Sequence, residues 1–566
     1  YVVVNKNVEK CVKVRRSIMI PMTLIFFFVI TIGIIKPNML YNIENNIVTW
    51  ATKSFGWLFQ LSAVFFLFIC FWLMFSKYGS IKLGGKDAHP TMSYWNWFCI
   101  SLTAGIGTGI LFWGIAEPIT HFMNPPESIG IIPGSESAAM FAMNTSFTHW
   151  TFYPYSMYAI SGVCIAFAIY NMKLPCRVSS VLYPLFNKKV NYRLESLIDN
   201  ICLFAMAGGV AAILGVGTMQ ISKGLNIILG VPNNKFTWIT IVTIIVITYI
   251  ISSITGIDKG IKWISDKNTK LFIGLMVFIF VLGPTSFILS LGTQSLGNFA
   301  SNFLQISTYL SPIDGSDWPR WWPIYYWAIW LAYAPLNGMF FAMISKGRTI
   351  REFMVMNLII PALFGMIWFI IFGGAAIHQE LSYGDLWSSI QSSGMEVSLF
   401  AFLTKYPFVK ILSIFFIVAI FISIVTMCDS VTTTITRLSI KSDNNEKTKT
   451  SYKINIFWGV LMASMAIVNL ICAGGKISGI DATKQIATVA GFPILFFMIA
   501  LAFCLVKMLV NHKLYDRTDE YKDEAHIVKT TKHEVEDINT TEVDAMSCGL
   551  SRSHSIIDNK KSEDYL

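Results

Sequence analysis

Read along its length, the chain alternates between long apolar runs and short polar connections. Runs long enough to cross a bilayer as helices occur at about twelve places, each roughly 18 residues or more. They are Ile18–Ile35, Trp57–Phe75, Trp95–His121, Ala138–Tyr170, Ile201–Leu229, Phe236–Ile254, Leu271–Leu291, Trp321–Ile344, Phe353–Ile377, Ile411–Leu438, Ile454–Ala473 and Ile486–Val510. A transmembrane barrel needs alternating segments of about ten residues, and these runs are continuous and far longer, so the pattern predicts helices. The expected fold is an all-α polytopic membrane protein of about twelve transmembrane helices.

Composition agrees: mean hydropathy is +0.57, with 54% hydrophobic and 13% charged residues. The net charge of +10 bears on topology. About 25 Lys and Arg fall in connections on the side of the N-terminus and about 9 on the other, which predicts both termini in the cytoplasm of a cell-membrane protein. Lys6, Lys10, Lys13, Arg15 and Arg16 lead, followed by groups such as Lys188, Lys189 and Arg193 in every second connection. Dealt out in small groups, this charge forms no stripe for nucleic acid. The ten cysteines are scattered without paired spacing, and several lie inside spans (Cys70, Cys99, Cys164, Cys428), where they act as small apolar fillers. Ile18–Ile35 is too long for the apolar region of a signal peptide. From 511 to 566 the chain is a polar tail, net acidic and expected to be cytoplasmic.

Chemistry concentrates in three spans. The eighth packs Trp321, Trp322, Tyr325, Tyr326, Trp327, Trp330 and Tyr333 into little over three turns. Interfacial anchoring explains the first of these but not Trp327, Trp330 and Tyr333, which run deeper. Such rings bind a quaternary ammonium through their quadrupole without a buried counter-charge. The third span carries Gly105, Gly107 and Gly109, and glycine costs a helix interior about 1 kcal/mol relative to alanine. Close helix packing through small residues is one reading, and an unwound segment whose carbonyls face a cation is the other. The fourth span holds a second aromatic group, Trp150, Tyr155 and Tyr158, interrupted by Pro154. Pro335-Leu-Asn-Gly338 is expected to break the eighth span as the glycines break the third. Paired interruptions at corresponding positions point to a transporter with inverted repeats and a midplane site. Glu117, His149 and Asp429 are the ionisable groups at depth, too few for a proton relay, and Glu117 and Asp429 read as helix caps or partners of neighbouring groups. No nucleophile–base set, metal motif or phosphate loop occurs, so no enzyme and no cofactor is expected.

The chain resembles the betaine/carnitine/choline transporters, a family of the LeuT-type fold, over roughly Ile18 to Val510. The resemblance rests on Tyr325-Tyr-Trp-Ala-Ile-Trp330, on Ile344-Ser-Lys-Gly-Arg-Thr-Ile-Arg-Glu-Phe353, on Phe112-Trp-Gly-Ile-Ala-Glu-Pro118 with the glycines before it, and on His149-Trp150. It implies a cytoplasmic segment (1–17), two extra helices and a loop (18–92), a first five-helix repeat (93–291), an extracytoplasmic connection (292–320), a second repeat (321–510) and the tail, assembled as a homotrimer among membrane lipids. It maps an aromatic box onto Trp150, Tyr155, Tyr158 and Trp330, with Trp327, Tyr333 and Phe340 lining the path to it. Tyr155, Ile329 and Tyr333 stand where many members have Trp. The substrate implied is a quaternary ammonium osmolyte. Gly109, where choline-type members tend to carry Asp, favours glycine betaine over choline and leaves carnitine open. Sodium-coupled members hold Na⁺ between third-span carbonyls, here Thr103, Ala104 and Ile106, and two tenth-span hydroxyls. Only Thr426 of that pair matches, because Met427 follows. Asn268 stands where Na⁺-independent exchangers place an arginine, although a shifted register could bring Lys267 or Lys270 there. On balance Na⁺ is the expected coupling ion. Osmotically activated members use a basic tail helix, which this acidic tail does not match.

Overall fold

The computed structural model describes residues 13–106, 109–186, 191–255, 261–441, 452–473 and 479–518. Among these, helices dominate, and strand-like pairing is confined to two isolated bridges, Val14 with Ile440 and Lys82 with Thr349. Most of the tail, Gly107, Lys188, Lys189 and the whole 442–451 connection lie outside the described residues.

Eight helices are individually long and apolar enough to cross a membrane, and two bent helix pairs raise the number to ten. Pro323–Met343 and Tyr452–Ala473 occupy the places of the expected eighth and eleventh spans. In chain order the spans are Arg16–Ile35, Pro37–Phe75, Tyr94–Ile106 with Gly109–Met123, Glu136–Trp150 with Phe152–Tyr170, Tyr192–Leu229, Lys235–Thr255, Lys262–Leu282, Pro323–Met343, Ile360–Tyr383, Val409–Leu438, Tyr452–Ala473 and Gly479–Val510. The protein is an all-α integral membrane protein.

The interruptions fall differently from expectation. In the third span the two halves meet at 56°. In the fourth the helix resets at Thr151 (φ −112°, ψ −103°), three residues ahead of Pro154. The reason is local: Pro154 has no N–H to give to the carbonyl of Trp150, so the hydrogen-bond ladder stops there and proline falls in the first turn of a new helix. The eighth span, by contrast, is not broken at Pro335. It runs helical from Pro323 to Met343 with the proline inside, because dense packing on all sides holds a segment whose ladder loses one bond. From Pro323 to Ala342 every residue except Ile329 is buried. The seventh span ends at Leu282, before Gly283-Pro284, and Thr285–Ser307 leaves at 110° as a separate helix. Its buried residues Ile288, Leu291, Gly292, Ser295 and Phe299 line one face.

Lipid-facing and central helices differ as the bilayer requires. The first span exposes Leu24, Phe27, Phe28, Ile34 and Ile35, whereas the fourth and eighth spans cross at the centre with backbones in close approach. A Cβ on Gly338 would stand 2.5 Å from Ser161 Oγ and 2.7 Å from the Gly162 nitrogen. The segment before the first span is fastened inward: Arg15, 2% exposed, pairs with Asp199 of the fifth span at 2.8 Å and donates to the Leu438 carbonyl of the tenth at 3.0 Å. Replacing Gly338 by Val is expected to destabilise the protein by about 1–3 kcal/mol through overpacking, read as a lower melting temperature in detergent. Gly297→Ala, at an exposed helical position with open space around it, should raise stability by roughly 0.5–1 kcal/mol.

Candidate functional site

Where the third, fourth and eighth spans meet, one carboxylate organises the surrounding rings. Glu117 is fully buried. Its Oε2 accepts from Trp150 Nε1 at 2.6 Å and from Tyr326 Oη at 2.7 Å. Its Oε1 lies 2.6 Å from His149 Nδ1, and because an ionised carboxylate only accepts, the hydrogen sits on that nitrogen. The backbone carbonyl of His149 in turn accepts from Trp330 Nε1 at 3.1 Å. Two tryptophans from facing spans are thus hung from a single acid–imidazole unit.

The rings so held form a cage. Trp150 and Trp330 stand at 82° with centroids 5.1 Å apart, and Tyr158 meets Trp330 at 85° and 6.3 Å. Tyr155 neighbours Tyr158 at 6.5 Å. Across the reset at Thr151, Trp150 and Tyr158 both meet Trp330 while Tyr155 lies toward Gly105 of the third span, an arrangement that spacing across a proline could not settle.

The glycines complete the cage by omission. A Cβ at Gly109 would fall 2.5 Å from the Trp150 ring. A Cβ at Gly105 would touch Tyr155 at 3.7 Å and Phe341 at 3.5 Å. A Cβ at Gly209, in the small-residue run of the fifth span, would strike the Tyr333 ring at 2.4 Å. Small residues here make room for aromatic side chains, a role that unites the packing and functional readings of these runs.

Two of the residues expected along the path, Trp327 and Phe340, have neighbours outside this ring cluster. Trp327 donates to Gln60 Oε1 at 2.6 Å and packs on Tyr153 at 5.0 Å, toward the second span. Phe340 is fully buried and its ring pairs with Phe341, and it is Phe341 that reaches Tyr158, at 6.3 Å. Sequence reasoning passed over Tyr326 and Phe341, and it read Glu117 as a neighbour-bonding group without seeing which neighbours. The available signal was Glu117 closing the glycine-rich segment while His149-Trp150 closes a half-span of its own.

The candidate ion residues border a polar seam. Thr103, Ala104 and Ile106 occupy the last described turn of Tyr94–Ile106, next to residues 107 and 108, which lie outside the described residues. Thr103 Oγ1 donates to Ser265 Oγ of the seventh span at 2.9 Å. One turn further, Asn268 Nδ2 donates to Ser423 Oγ of the tenth at 3.0 Å, and Thr426 follows one turn beyond Ser423, bonded to the Ile422 carbonyl. Asn268 is fully buried in this seam. Lys267 is exposed, and Lys270 is exposed and paired with Asp266 at 2.9 Å. The shifted register that would bring a lysine to the seam is therefore not adopted.

Buried aromatic rings between the central spans of a helical membrane protein are an arrangement suited to holding a small organic solute. The sequence matches the family described as BCCT, betaine/carnitine/choline family transporter, over residues 17–514, and the chain belongs to that family, whose members are transporters and not enzymes. It is 33% identical over 477 residues to a probable glycine betaine transporter of Desulfitobacterium hafniense (strain Y51), covering 84% of this chain and 94% of that one. It is 33% identical over 485 residues to an ectoine/hydroxyectoine transporter of Virgibacillus pantothenticus, covering 86% and 94%. The glycine betaine transporter OpuD of Bacillus subtilis (strain 168) is 33% identical over 495 residues, covering 87% and 92%.

Because Glu117 holds Trp150 and Tyr326 by charge-assisted bonds, Glu117→Gln is expected to weaken substrate binding by about 1.5–3 kcal/mol, or ~10- to 100-fold. Calorimetric titration of purified protein would check this, and unchanged affinity would show that the rings keep their places without the carboxylate. Gly109→Ala should produce a comparable loss by displacing a ring that cannot yield.

Proposed function

We propose that the protein is a secondary active importer of a quaternary ammonium osmolyte, glycine betaine first, working by alternating access with Na⁺ symport. The observation that carries the substrate class is the Trp150–Tyr158–Trp330 cage, in which two rings stand nearly perpendicular to a third. Perpendicular faces surround a trimethylammonium group on several sides, each ring contributing about 0.5–2 kcal/mol. Gly109 supports a zwitterion over choline. A carboxylate there would repel the substrate's own, and Trp150 occupies the space it would need. Carnitine fits the same reasoning. The ectoine/hydroxyectoine relative gives a second reading, a cyclic zwitterion, which the phenols Tyr155 and Tyr158 would suit as hydrogen-bonding partners.

Sodium coupling is supported by the seam's hard oxygen donors, namely the terminal carbonyls of Thr103, Ala104 and Ile106 with the hydroxyl of Thr426. The neutral Asn268 supports it as well, since no fixed cation stands in for the ion. Thr103 and Thr426 then belong to elements that move relative to one another in a five-plus-five inverted repeat. Cytoplasmic termini follow from the charge bias, and trimeric assembly from the family resemblance.

Uptake of labelled betaine into proteoliposomes tests the reading. Transport should fall at least tenfold when external Na⁺ is replaced by K⁺ at fixed membrane potential, and undiminished flux would exclude sodium coupling. Trp330→Leu should lose most of the affinity while Trp330→Phe keeps part of it, as a cation–π contact requires. In a competition panel of betaine, carnitine, choline and ectoine, betaine should compete best. Binding without flux would instead assign a sensor.

A further inference from the structure

His121 has no part in the cage, yet the structure invests in it. It lies in the last turn of Gly109–Met123, one turn beyond Glu117 and fully buried. Among the described residues neither of its ring nitrogens has a hydrogen-bond partner. Its Nε2 stands 3.7 Å from Glu117 Oε1, beyond hydrogen-bonding distance. Leaving a buried donor or acceptor unpaired costs about 1–3 kcal/mol, so an imidazole with no hydrogen-bond partner closer than this 3.7 Å contact is poised for a ligand. The rings of Trp322, Trp318 and Phe141, with centroids 4.2, 5.6 and 5.7 Å from its own, enclose it without offering a polar partner.

Two further donors converge on the same point. One ring nitrogen each from His121 and His149 and one carboxylate oxygen of Glu117 all lie within 4.8 Å of one another. A tetrahedral Zn²⁺ takes nitrogen and oxygen donors at about 2.0–2.2 Å, which sets them roughly 3.3 Å apart, so side-chain shifts on the order of an ångström close the set. Two imidazoles and one carboxylate are a donor set for zinc and neighbouring transition metals and a poor one for Na⁺, Mg²⁺ or Ca²⁺. The outer support also exists: Oε2 of Glu117 is held by Trp150 and Tyr326, the kind of hydrogen bonding that orients a ligating carboxylate.

We propose that Glu117, His121 and His149 form a transition-metal site, fitted to Zn²⁺, that governs the adjoining aromatic cage. The consequence for a cationic substrate is electrostatic. Glu117 places one negative charge directly behind Trp150, and a bound divalent ion replaces it with a net positive charge at the same place. Cation binding in the cage is thereby disfavoured, so the metal acts as an inhibitor.

The first readout is metal binding itself, which needs no substrate, so its outcome is independent of whether betaine is the solute carried; uptake enters only as the second readout. Full-length protein in nanodiscs, titrated with Co²⁺ as probe, should develop the visible d–d absorption of a four-coordinate nitrogen–oxygen site at one equivalent, bleached by Zn²⁺ and unaffected by Mg²⁺. His121→Ala should abolish that band and keep basal uptake, while raising the Zn²⁺ concentration for half-inhibition at least tenfold. His121→Gln, closer in size and without an imidazole, should behave the same way if the alanine variant folds poorly. Absence of the band in the unaltered protein, or an equal band in both variants, overturns the proposal.

Discussion

The arrangement at the centre of this protein depends on one buried carboxylate with three donors turned toward it. Glu117 accepts from Trp150, Tyr326 and His149, and these donors come from the fourth and eighth spans while the acid comes from the third. A lone charge in this setting would be prohibitively costly, and three hydrogen bonds offset that cost only when all three helices are in place. The acid therefore acts as a register mark for the bundle. It fixes the rotation of the indoles, and through the His149 carbonyl it reaches Trp330 as well.

Around this unit, packing follows a rule of complement between glycine and aromatic ring. Gly109 faces Trp150, Gly209 faces Tyr333, Gly162 faces Phe353, and Gly114 faces Trp368. Each pair removes a side chain on one helix so that a large, flat one on another can lie against backbone. Membrane helices gain little from expelling water between them, so close contact of this kind supplies much of their association. The rings gain rigidity from it, which a preorganised cage for a solute requires.

The sequence made the all-helical, membrane-spanning class legible because hydrophobic length is a local property. Aromatic density and the glycine run likewise pointed to the third, fourth and eighth spans. What escaped was rotational. Which neighbours the Trp327 and Trp330 indoles meet depends on where each helix is pinned, and that is decided by partners such as Gln60 and the His149 carbonyl, which lie far away in the chain. The same holds for Phe340 against Phe341. The expected break at Pro335 failed for a related reason, since proline weakens a helix locally but burial on every side decides whether the weakness opens. The reset at Thr151, by contrast, follows from the missing N–H of Pro154, though three residues ahead of the proline itself.

The contact between Gly109 and Trp150 also constrains how such a protein can change over evolutionary time. A single base change turns a glycine codon into an aspartate codon, so a carboxylate at this position is one mutational step away. That step lands on an indole held by its ring nitrogen to Glu117, and a Cβ would already fall 2.5 Å from it. A lineage acquiring an acid here must first loosen the tryptophan's anchor or turn its helix, since the reverse order forces a side chain into the Trp150 ring. The order of substitutions, more than their number, would then decide whether an acid can be accepted at this place.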